Sequence, residues 1–93
     1  MPGRVFLDGY MEVPAGRLAA VTHALPDHIA LTRAEPGCVA FEVTPSPHDP
    51  GRLLVSEIFS DQAAFDAHQA RAKASAWARV TAGLARHYAI RTE

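Results

Sequence analysis

The stretch GCVAFEVTPSPHDPGRLLVSEIF, residues 37–59, sets two apolar runs on either side of six turn-forming residues, SPHDPG. Residues 37–45 and 52–59 are rich in β-branched and large apolar side chains, and the Pro, Asp, Ser and Gly between them favour a chain reversal, so a β-hairpin is predicted. Successive side chains of a strand point to opposite faces. In the second run Leu53, Val55 and Phe59 therefore share one face while Leu54 and Ile58 share the other. Both faces carry apolar groups, so both need cover.

Outward from the hairpin, the chain supplies a strand and helical segments on each side in sequence, enough to cover one face. Before it, residues 4–13 alternate with Val5, Leu7, Met11 and Val13 on one face and Phe6, Asp8, Tyr10 and Glu12 on the other, which is the period of a strand. From Pro14, Leu18, Val21, Leu25 and Ile29 recur at helical spacing until Glu35-Pro36-Gly37 stops them. Pro26 lies inside that segment and lacks a backbone donor, so a kink or two abutting helices are expected there. After the hairpin, Ser60 and Asp61 offer N-cap oxygens to an Ala-rich segment, read as helices near 61–70 and 74–86, and residues 87–92 alternate again as a last strand. The order β-α-β-β-α(α)-β predicts a ferredoxin-like α+β fold, one antiparallel sheet with helices on one face, as a single domain over residues 1–93. A second copy of the chain is the expected cover for the other face, giving a homodimer.

Composition narrows the functions. The 93 residues carry 9 Lys+Arg against 10 Asp+Glu, a net charge of −1, which leaves no basic footprint for nucleic acid or an anionic membrane. No run approaches a membrane span, and MPGRVFLDGYMEV lacks a basic lead before an unbroken apolar run, so a cytoplasmic location is expected. Cys38 is the single cysteine and reads as a small core hydrophobe, with no internal disulfide to form. His23 and His28, five apart, stand about 140° apart around a helix and cannot chelate one ion together, so no metal site is expected. Glycine-rich phosphate or dinucleotide loops and a G-x-S-x-G elbow are missing, and no flavin, nicotinamide or nucleotide cofactor is expected. The third strand also lacks the basic-Gly-aromatic run with which an RNA-recognition domain stacks bases.

Two residues stand out chemically. His68 shares a helical face with Phe65 and Ala72, with Trp77 a turn or two later, so an imidazole stands beside aromatic surface where it could take a proton from a phenol. A boundary histidine making one hydrogen bond satisfies the same pattern. Glu57 is set in the apolar run LLVSEIF and must be paired, hydrogen-bonded or at an edge; Arg71, Arg86 and Arg91 are candidate ion-pair partners, and support of a pocket is the alternative.

The segments TRAEPGCVAFEV (32–43) and VSEIFSDQAAFDAHQ (55–69), with Trp77 beyond them, resemble the antibiotic biosynthesis monooxygenase family, small dimeric α+β-barrel proteins that include quinol monooxygenases. Glu57, Phe65 and His68 within S-E-I-F-x-D-x-x-A-F-x-x-H match positions typical of that family. The resemblance implies a homodimer packed through its sheets, a pocket between sheet and helices, and oxygenation of an aromatic phenol or hydroquinone by O2 without metal, flavin or haem. In that scheme His68 accepts or relays the phenolic proton, Trp77 and Phe65 stack on the ring, Tyr10 or Arg71 binds its oxygens, and Glu57 supports the pocket. Many members carry a second histidine shortly after the first, where this chain has QARAKASA (69–76). The haem-degrading branch uses an Asn near the first strand, and this chain has no Asn. A non-catalytic dimeric module that binds an aromatic metabolite or serves as an accessory subunit is the competing expectation.

Overall fold

A computed structural model describes residues 3–93. The elements run β1 (Val5–Glu12), α1 (Ala15–Arg33), β2 (Cys38–Pro45), β3 (Arg52–Phe59), α2 (Gln62–Lys73), α3 (Ala76–Val80) and β4 (Arg86–Thr92). The strands form one antiparallel sheet in the order β2-β3-β1-β4, with β3 paired to both β1 and β2, so the two βαβ halves interleave as a ferredoxin-like fold requires. Alternation along the strands decides which side chains meet the helices: Val5, Leu7, Met11, Phe41, Val43, Leu53, Val55 and Phe59 are buried on that face. Glu57 lies on it too, level with Leu7 on one neighbouring strand and Phe41 on the other. A carboxyl group thus sits at the centre of an apolar layer.

Two expectations about the helices change. α1 runs unbroken through Pro26 as one 19-residue helix, not as two abutting ones. Proline frees the carbonyl four residues earlier, here that of Thr22; both residues are exposed, so solvent can satisfy it and the helix need not stop. The last helix ends at Val80, not at residue 86. The Thr81 hydroxyl donates to the Trp77 carbonyl at 2.7 Å, Gly83 turns the chain at φ +77°, and Leu84 is buried, so the chain folds back early enough for Arg86 to open β4. The helix starts agree with their caps: the Asp61 carboxylate accepts from the Ala64 amide at 2.8 Å, and the Ser75 hydroxyl accepts from that of Ala78.

Gly37 joins this frame to the site. Its φ is +86°, and a Cβ there would lie 2.6 Å from the Ala64 Cβ and 2.8 Å from the Ser60 Oγ. Its carbonyl accepts from the Ser60 amide at 2.8 Å. The turn that carries Glu35 is thereby fastened to the start of α2, the helix that carries His68. On the other side of the sheet Arg52 covers the Tyr10 ring at 4.1 Å and Arg91 covers Phe6 at 4.4 Å, while Leu54 remains 40% exposed. Among the described residues no helix is long and apolar enough to cross a membrane.

Candidate functional site

Between the helix-facing side of β1, β3 and β4 and the helices lies a cavity of about 440 Å³. Leu7, Met11 and Tyr88 give it a floor; His28, Ala72, Trp77 and Thr81 give it walls; Glu57, His68 and Arg86 bring polar groups. Ala72 and its neighbour Ala78 leave room that larger side chains would fill. The volume and the mixture of aromatic, aliphatic and polar groups suit a small organic ligand.

His68 is buried, with its ring 4.9 Å from that of Phe59. Its Nδ1 lies 2.9 Å from Glu35 Oε1, and the other oxygen of Glu35 accepts from Arg71 Nε. Arg71 Nη2 also donates to the Thr32 hydroxyl at 3.0 Å. A carboxylate held by a guanidinium can only accept, so Nδ1 must donate to it and the lone pair of the neutral ring falls on Nε2. That Nε2 lies on the side of Glu57, at 3.9 Å from its Oε1. Burial holds the His68 pKa below its ordinary value, against the opposing pull of Glu35. The ring is therefore a neutral base, and Glu35 stands ready to stabilise the imidazolium once a proton arrives.

Glu57 has none of the ion-pair partners the sequence offered. Arg71 is engaged by Glu35 and Thr32, Arg86 by Thr81 and the Leu84 carbonyl, and Arg91 by Asp8 and Glu93 on the other side of the sheet. Its Oε1 is buried without a hydrogen-bond partner among the described residues. Burial, reinforced by the charge of Glu35, pushes its pKa up to about 7. His28 stacks on Trp77, centroids 4.7 Å apart and planes 6° from parallel, and its Nδ1 is likewise buried without a partner. Burial first, then the His68 and Arg71 charges, lower its pKa to about 4. Three titratable side chains meet here: the two histidines are neutral at neutral pH, and Glu57 keeps its proton below it.

Of the residues singled out in the sequence, His68, Trp77 and Glu57 line the cavity together. Arg71 braces the site from behind through Glu35. Phe65 is buried against Phe59, centroids 5.8 Å apart, as core packing and not as a wall of the cavity. Tyr10 is on the opposite face of the sheet, stacked on His87 at 4.8 Å, so within one chain it cannot reach a ligand held here. Sequence reasoning missed three residues of the site. Glu35 is 33 residues from His68, and only the tertiary fold brings them together. His28 and Thr32 are buried on α1 with Val21, at separations of seven and four residues, so their recurrence in the apolar phase was the available signal. Among the described residues no three His, Cys, Asp or Glu side chains converge as a metal site would require.

The model of the family described as "Antibiotic biosynthesis monooxygenase" matches residues 4–80. Among solved structures, the one described as "Putative antibiotic biosynthesis monooxygenase from Nitrosomonas europaea" is similar with a TM-score of 0.81 at 21% identity, over 100% of this chain and 92% of that one. A structure of the same description from Caulobacter crescentus gives 0.78 at 22% identity, over 99% and 91% of the two chains. A protein of Shewanella oneidensis gives 0.77 at 25% identity, over 100% and 93%. No curated protein matches the sequence.

Proposed function

This chain belongs to the antibiotic biosynthesis monooxygenase family, and on that premise we propose that it oxidises a phenolic, quinol or polycyclic aromatic small molecule with O2, without a cofactor. One observation carries the reading: a buried neutral histidine, its Nδ1 fixed by Glu35, shares with Trp77 the wall of a cavity of about 440 Å³. An enolised ketone or hydroquinone that loses its proton becomes electron-rich enough to reduce O2 itself, so the protein need only take the proton, hold the ring and exclude water. For a methylene flanked by two rings the balance closes within the substrate. Two C–H bonds break, one C=O forms, the second oxygen atom leaves as water, and the four electrons O2 receives all come from that carbon.

Each residue then has a task. His68 Nε2 accepts the proton, Glu35, held in place by Arg71, stabilises the resulting imidazolium, and the Trp77 ring, backed by His28, offers a flat surface to the substrate. The test is oxygen uptake by the metal-stripped protein with hydroquinones, naphthols and anthrones, corrected for autoxidation. Saturable uptake without added cofactor is expected. Because His68 works in its neutral form and its pKa is held below the ordinary 6.5, the acid limb of kcat/KM should fall below pH 6.5. Binding of these compounds with no uptake would favour the aromatic-binding module instead.

The same reading includes a homodimer packed through the outer sheet face, supported by the half-exposed Leu54 of β3, with Ile58 on the same face of that strand and Phe6 paired to Ile58 from β1. Sedimentation equilibrium at micromolar concentration should give twice the 10.0 kDa of one chain. A particle of one chain's mass would remove the dimer from the proposal.

A further inference from the structure

We propose that Glu57 is a second catalytic residue of this cavity: it acts as the general acid that protonates the departing oxygen when the O–O bond breaks, and the adjacent His68 recharges it. The inference rests on the monooxygenase reading above and assigns a step that reading leaves without a donor.

Placement comes first. Glu57 projects from the centre of the sheet into the cavity that His68 also lines, with its side chain 9% exposed and His68 Nε2 3.9 Å from Oε1. Apolar Leu7 and Phe41 flank it on the neighbouring strands. No cation pairs with it among the described residues, and its Oε1 lacks a hydrogen-bond partner. A carboxylate left so is strongly disfavoured, and an apolar residue would serve packing better. A carboxyl group retained here in its acid form has a proton to give.

The charged and titratable neighbours favour that form. Burial disfavours a charge on Glu57, and Glu35, beside His68, opposes a second negative charge. His28 on α1 is neutral, and Tyr88 on β4 keeps its proton because burial raises its pKa. Arg71 is bound to Glu35; Lys73 on α2 and Arg86 on β4 line the same cavity without forming an ion pair to Glu57. Two groups whose surroundings push one toward the base form and the other toward the acid form are what a base-then-acid sequence needs.

For anthrone the cycle closes as follows. His68 Nε2 takes a proton from the methylene carbon. The carbanion bonds one end of O2, and the peroxide anion recovers that proton from His68. His68 then removes the second C–H proton; that bond's electron pair forms the C=O, the O–O bond breaks, and the departing hydroxide takes the Glu57 proton to leave as water. The imidazolium at Nε2 finally passes its proton across the short gap to the Glu57 carboxylate. Both side chains return to their starting forms.

The test compares wild type with Glu57→Gln, which keeps size and polarity but has no proton to give, using anthrone as probe. Expected are unchanged ionisation of bound anthrone on anaerobic mixing, kcat lowered about 100-fold, and loss of the alkaline limb that wild type should show near pH 7. Glu57→Asp should recover part of the rate. In case Glu57→Gln fails to fold, infrared difference spectra of the wild type between pH 6 and 8 should show a protonated carboxyl band disappearing; its absence would overturn the assignment. Wild-type kcat and pH profile in Glu57→Gln would overturn the role of Glu57 alone. Loss of anaerobic ionisation in that variant would make Glu57 a binding group or base, and also overturn it. No oxidation of any of the panel compounds by wild type would bring down the monooxygenase reading, and the acid role with it.

Discussion

Replacing His68 by alanine is expected to lower O2-dependent turnover of an accepted phenol or anthrone by about three orders of magnitude, while the protein stays folded and still binds the ring. The loss follows from the position of the base. His68 is the neutral side chain in the cavity whose second nitrogen is already committed to a carboxylate, so its free lone pair has a fixed direction and its charged form a prepared counterion. No other group can stand in. His28 is held down to a pKa of about 4 and is a weak base, and Glu57 at about 7 is largely protonated below neutrality. Folding should survive because Glu35 keeps Arg71 when the imidazole goes, so no buried charge is orphaned. The cavity left against Phe59 and Phe41 should cost about 1–2 kcal/mol. Stopped-flow absorbance under anaerobic conditions separates the steps: the variant should bind the probe but fail to ionise it, and added imidazole should restore part of the rate. Wild-type turnover in the variant would remove the acid-base role from His68.

How far the sequence reveals this site depends on the range of the interactions that build it. Strand alternation is local, and it placed the four strands and the turn at 46–51 and set Leu53, Val55 and Phe59 together on one face, which Glu57 shares. Helix caps are local as well, and Asp61 shows it. Pro26 did not divide the helix, because its effect depends on whether the freed carbonyl meets solvent, a property of the packed helix. The early end of α3 depends on a buried hydroxyl, Thr81, satisfied by the helix's own last turn. The motif around His68 singled out a residue that lines the cavity. Its partners did not follow from spacing, since Glu35 comes from a turn before β2, Arg71 was offered to Glu57 or to a ligand, and Tyr10 was assigned a role that strand alternation already placed on the other face. A period-two reading separates Tyr10 from Leu7 and Met11, and carrying it through would have removed Tyr10 from the candidate ligands.

The two orphaned groups should also be visible in folding stability, with opposite signs. Glu57 has its pKa raised from 4.5 to about 7 in the folded protein. The folded state therefore holds a proton the unfolded state has lost, and stability falls as pH rises from about 4.5 to 7. His28 has its pKa lowered from 6.5 to about 4. There the unfolded state binds the extra proton, and stability falls as pH drops from about 6.5 to 4. Each full effect is of order 3 kcal/mol. Between pH 4.5 and 6.5 the two slopes oppose each other, so in the wild type they should largely cancel and leave the pair unseen. Removing one exposes the other. Relative to wild type, Glu57→Gln should gain stability progressively as pH rises toward 7, whereas His28→Phe, which keeps an aromatic ring against Trp77, should gain it as pH falls toward 4. Urea unfolding of the three proteins across pH 4 to 8 measures both differences. Curves that run parallel to wild type at every pH would mean that neither group changes its proton affinity on folding, and that the cavity is wetter and less selective than its buried, unpartnered atoms imply.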